Sequence, residues 1–79
     1  MFPSDFDRKE KPNVALYYLK NALQIEESDS NAEELNIAGT HLNLCAIYGK
    51  LNKHLFAIFH AWSAIKLIEK INRERQMLE

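Results

Sequence analysis

Apolar residues recur along most of this chain at steps of two to four, a spacing that gathers them on one side of a helix. Leu42, Leu44, Cys45, Ile47, Tyr48 and Leu51 form one such stripe. Ala57, Ile58, Ala61, Ala64, Ile65 and Ile68 form a second, which opens at Leu55. A third set precedes both: Val14, Ala15, Leu16, Tyr18, Leu19, Ala22, Leu23 and Ile25. The pattern predicts an all-α chain of three helices folded as antiparallel hairpins.

Punctuation between the stripes sets the expected boundaries. Residues 1–11 are mostly polar and charged, with two isolated phenylalanines, Phe2 and Phe6, and read as an irregular arm. Pro12 suits the first turn of a helix, where its missing N–H costs nothing. The run EESDS from Glu26 to Ser30 interrupts the period, and Ser30 with Glu33 three residues on has the form of a capping box. A second helix is therefore expected from about Asn31 to about Leu51. Gly39 lies inside it and weakens it by ~1 kcal/mol relative to Ala, which a close helix crossing would explain. In the turn from Gly49 to Lys53, both Gly49 and Asn52 tolerate left-handed backbone; Asn52 is the favoured one, because Leu51 still continues the stripe before it. The third helix runs from about Lys53 towards Gln76. Its charged tail, 69–79, carries Ile71 and Leu78 and reads as largely solvated.

Small residues sit at particular places in these stripes. Cys45 lies between Leu44 and Tyr48, and Ala57, Ala61 and Ala64 form a small strip on the following helix. Helix pairs approach closely only where side chains are small. The order Leu-small-x-x-Tyr, a turn, then Ala-x-x-x-Ala-x-x-Ala-Ile-x-Leu resembles the signature of a tetratricopeptide (TPR) helix hairpin. The first stripe also matches the last: Ala15-Leu16-Tyr17 with Ala57-Ile58-Phe59, Ala22-Leu23 with Ala64-Ile65, and Ile25 with Leu67, each pair 42 positions apart. A common TPR repeat is about 34 residues. The longer spacing is similar to that of kinesin light chain and related arrays, and the wording of THLNLCAIYGKL resembles TPR arrays of ciliated protists.

The resemblance implies a TPR-like α-solenoid segment: the second half of one repeat at 12–27, a full repeat at 31–68 and a charged helical tail at 69–79. A generic three-helix bundle is the plainer alternative. Because the helices do not make a whole number of repeats, either a longer array or neighbouring chains would complete the fold. In such arrays the first helix of a repeat lines a concave groove, where an asparagine before the Leu-small pair holds a peptide backbone. That place falls on Asn43, with Gly39, Leu42, Ala46, Gly49 and Lys50 as its groove neighbours. An ordinary exposed asparagine is the alternative. The third helix adds a second candidate surface. From Leu55 to Ile68 only His60, Ser63 and Lys66 are polar, too few to cover a solvated face, so Phe56, Phe59 and Trp62 are expected to meet something beyond these three helices.

Composition narrows the function. A chain of 79 residues allows one small domain, and 47% hydrophobic content with two glycines and two prolines argues against disorder. A formal net charge of −1 lacks the cationic excess of a nucleic-acid binder. One cysteine fits a reducing compartment, no apolar run approaches the ~18 residues of a membrane span, and the N-terminus does not read as a secretory signal. A cytoplasmic setting follows by elimination, with cytoskeleton or cilium as what the resemblance adds. His41, Cys45, His54 and His60 have none of the paired spacing of zinc ligands. Cys45 in a mid-helix apolar stripe reads as a packed thiol rather than a nucleophile. The acidic run around Glu27 lacks the alternation and central glycine of a calcium loop. The expectation is therefore a non-catalytic protein-interaction module or scaffold, without cofactor, small-molecule substrate, nucleic acid or membrane. Its partners would be proteins or adjacent repeats. A small regulatory helical protein that self-associates through its apolar faces is the competing reading.

Overall fold

Three helices occupy the chain in a computed structural model that describes the backbone of residues 4–78 and the side chains of residues 11–77. They are α1 (Ser4–Ser28), α2 (Glu34–Lys50) and α3 (His54–Leu78). No strand occurs among the described residues, and the fold is all-α.

The first helix begins earlier than its sequence suggests. Residues 4–11, expected as part of an irregular arm, are helical, and Pro12 lies inside α1 rather than at its start. Residues 1–3 of that arm lie outside the described ones. Proline removes one backbone hydrogen bond and crowds the turn before it, a cost that does not end α1 here. Arg8, Lys9, Glu10 and Lys11 are all good helix formers, so the helix continues through them.

The link between α1 and α2 also departs from expectation. Ser30 and Glu33 make no capping box, because the N-cap of α2 is Glu33 itself and its side chain caps nothing. Asp29 organises this turn instead. Its Oδ1 accepts from the Asn31 N–H at 2.9 Å and its carbonyl accepts from Ala32 N–H at 3.1 Å. A short carboxylate that bonds the backbone two residues on favours a turn over a helix, so α2 starts three residues later than the capping pattern predicts.

The second turn is as expected. Asn52 has φ 62°, the left-handed conformation that an asparagine adopts more readily than most residues. The Lys53 N–H bonds back to the Tyr48 carbonyl at 2.9 Å, closing α2. The chain then reverses at once into α3.

α2 is the middle helix. It packs against both α1 and α3, whose backbones make no close contact with each other among the described residues. The molecule measures 56 × 22 × 20 Å. With helices ~10 Å across, it is only two layers thick, so every helix keeps an outer side. Leu44 is completely buried and forms the core with Tyr48 and Ala57, against which Leu16, Leu19, Leu23 and Cys45 pack. Burial of one such leucine stabilises by about 1.5–3 kcal/mol. Ala38 and Ala64 are buried as well. Thr40 Oγ1 donates to Glu26 Oε1 at 2.8 Å and ties α1 to α2. Lys70 Nζ, 3.1 Å from Glu34 Oε2, ties the far part of α3 to the start of α2.

Gly39 does not mark a close crossing. A Cβ built there would meet nothing within 4 Å. The close approach uses the buried alanines instead, so the glycine adds only backbone freedom. Gly39→Ala should therefore raise stability by about 0.5–1 kcal/mol, whereas Ala64→Leu should lower it by about 1–3 kcal/mol through overpacking. Urea denaturation of both variants checks this, and a destabilised Gly39→Ala would contradict the open space beside that residue.

Candidate functional site

Two histidines and two aromatic rings gather in one seam between α2 and α3. His41 and Tyr48 are seven residues apart on α2, and Phe56 and His60 are four apart on α3, so each pair lies on one side of its helix. The antiparallel hairpin interleaves them. The Phe56 ring stacks on Tyr48 with centroids 5.2 Å apart, Tyr48 stacks on His60 at 5.5 Å, and His60 meets His41 at 5.1 Å. His41 and His60 are buried.

The two histidines face each other nitrogen to nitrogen, with Nδ1 to Nδ1 at 2.9 Å. One of these atoms must carry a proton and the other a lone pair, since two lone pairs or two N–H groups would repel at that distance. Glu27 Oε2 of α1 lies 3.9 Å from His41 Nε2, so a negative charge favours a proton on that nitrogen. His41 then accepts at Nδ1 and His60 donates. Burial holds the His60 pKa below its usual range, His41 lowers it further, and Glu27 partly offsets both.

No group of three or more His, Cys, Asp or Glu residues suited to a metal occurs among the described residues. His54 is exposed at the start of α3, and half-buried Cys45 packs beside the core. The histidine pair escaped the sequence reading, which weighed both residues only as zinc ligands. A signal was nevertheless present. His41 is in register with Leu44 and Tyr48, and His60 falls between Ala57 and Ala64, both core positions.

The candidate binding residues lie outside the seam. Leu42, Asn43, Ala46 and Lys50 are exposed, and Gly39 and Gly49 are partly so. At 100° per residue, they share the side of α2 that is turned away from Leu44 and Tyr48. Asn43 and Lys50 are thus accessible, on a face that neither α1 nor α3 covers.

Phe56, Phe59 and Trp62 of α3 are each more than half exposed. Phe59 walls a shallow groove between α1 and α3, with Leu23 and Glu27 opposite and Ile37 and His41 in its floor. Trp62 is as exposed as Phe59, with Lys66 Nζ held 3.8 Å from its ring centre. Leu55, Ile58 and Ile65, not singled out from the sequence as binding residues, extend this exposed apolar surface. No helix is long and apolar enough to cross a membrane among the described residues. Comparison of the chain with family models, curated proteins and solved structures gives no match.

The histidine pair has a consequence for stability. The folded His60 pKa lies below the ordinary value of 6.5, so the unfolded chain takes up more protons in that range. Stability is full above about pH 6.5, falls as the pH drops from there towards the lowered folded value, and no longer changes through this group below it. The slope for one proton is at most about 1.4 kcal/mol per pH unit. Denaturant melts between pH 8 and pH 5 should show this fall, and His60→Phe, which keeps a ring against Tyr48, should flatten it. An equal fall in both proteins would place the titration elsewhere.

Proposed function

We propose that this chain is a non-catalytic protein-binding module, a TPR-like helical segment that scaffolds a larger assembly. One observation carries the reading. In the first half of α3 the alanines point inward and the large residues outward: Ala57 and Ala64 are buried, while Ile58, Phe59, Trp62 and Ile65 are exposed. A helix normally buries its large apolar residues and leaves small or polar ones outside. Large exposed apolar surfaces mark sites of association.

Several features support the family resemblance. α2 is central, Asn52 provides the tight reversal, and the two helices flanking α2 are related by the 42-residue spacing. Asn43 and Lys50, accessible on the outer side of α2, suit a peptide-binding role. Protein partners or adjacent repeats fit these faces better than a substrate does. A cytoplasmic setting, and a cytoskeletal or ciliary assembly within it, is what the resemblance to ciliate arrays adds. Self-association through the same apolar surface is the second reading, favoured by the exposure of Val14, Tyr17, Tyr18 and Ile25 on the other flank.

Phe59→Ser combined with Trp62→Ser should abolish capture of protein partners from a cell extract, with little change in the melt because both side chains are exposed. Trp62 emission should shift to the blue when a true partner binds. Identical capture by the double variant would remove α3 as the binding face, and a blue shift driven by protein concentration alone would favour self-association. Asn43→Ala should weaken peptide binding by about 0.5–1.5 kcal/mol without altering the melt. Calorimetry with the captured partner checks this, and unchanged affinity would leave Asn43 an ordinary surface residue.

A further inference from the structure

α1 and α3 each carry two apolar faces, and their 42-residue correspondence shows which face is unused. On α1, Leu16, Leu19 and Leu23 pack against the core. The matching positions on α3 are Ile58, Ala61 and Ile65. There the two isoleucines are open, Ile58 at 63% and Ile65 at 50% exposure. α3 instead turns Ala57, His60 and Ala64 inward. Their counterparts on α1 are Ala15, Tyr18 and Ala22, of which Tyr18 is 67% exposed. α2 is thus gripped by one kind of face from α1 and by the other kind from α3. One face of each kind is left over.

The charge pattern repeats in step. Glu27 sits beside His41 of α2, and the position 42 residues later is Glu69, which is exposed. An occupant seated on α3 as α2 is seated on α1 would bring its own residue at the His41 place to Glu69.

We propose that Ile58, Ala61 and Ile65 form a docking face for one further helix of the α2 kind, supplied by a separate protein unit. That helix presents a leucine and a tyrosine four residues apart, as Leu44 and Tyr48 are, and a histidine or lysine three residues before the leucine to oppose Glu69. The proposal rests on the protein-binding reading above and names its occupant. A second folded copy cannot offer its own α2, because that helix already carries α1 on one side and α3 on the other.

The test uses the full chain and a synthetic peptide of residues 34–50. A hydrocarbon staple across positions 39 and 43, on the side away from Leu44 and Tyr48, holds the peptide helical. The methyl resonances of Ile58 and Ile65 should move and saturate as peptide is added. Ile58→Asp or Ile65→Asp in the chain should weaken binding by about tenfold or more, while Tyr18→Asp, on the opposite flank, should leave the response unchanged. Glu69→Lys should weaken it less, and a peptide carrying His41→Glu should restore the loss. No movement of either methyl overturns the proposal, as does binding indifferent to Ile58 and Ile65. Methyl shifts driven by protein concentration alone would also overturn it, in favour of a second copy. The two readings fail separately: a captured partner that depends on Phe59 and Trp62 while the peptide leaves Ile58 and Ile65 unmoved keeps the binding module and sinks the α2-type occupant.

Discussion

The interleaved stack of Phe56, Tyr48, His60 and His41 is the contact on which the hairpin depends. It alternates rings from α3 and α2, so neither helix can slide along the other without breaking at least two ring contacts. Its polar end adds a condition that apolar packing lacks. The two Nδ1 atoms at 2.9 Å must share one proton, and this fixes the rotation of each ring as well as its position. Tyr48 also belongs to the core with Leu44 and Ala57, so register and hydrophobic burial are set at the same place.

From this seam the constraint extends to α1. Glu27 approaches the outer nitrogen of His41, and Glu26 accepts from Thr40 one residue away. Adjacent residues of α1 therefore meet adjacent residues of α2, next to the leucines that pack on the core. These polar contacts contribute modestly to stability, since Glu27 is more than half exposed. Their value is in orientation. Three leucines alone would accept α1 in several positions, and the paired carboxylates select one.

The cost of this arrangement appears on the outside. α2 takes the alanine side of α3, which allows a close approach but leaves the bulk of that helix unburied. In a fold two helices thick, nothing within the described chain can return to cover it. The molecule is thereby packed at its centre and apolar at its flanks, and this is the physical basis for the proposal that it works by association.

The chain's periodicity determined the number and type of helices, and its local chemistry determined the reversal at Asn52, because both depend on residues within a turn or two of each other. Competition between neighbours was less legible. Asp29 bonds its own turn and displaces the cap expected at Ser30, and Pro12 fails to stop a helix that good formers carry through it. The outer residues Asn43 and Trp62 could be named from the sequence, but not what surrounds them. Only the tertiary structure paired His41 with His60, nineteen positions away. It alone also showed the space beside Gly39 to be open. The same holds for the two faces of α3. Both are apolar, so the hydrophobic pattern could not say which one α2 would take. That choice follows from side-chain volume at the crossing, where alanines let two backbones come together and isoleucines hold them apart.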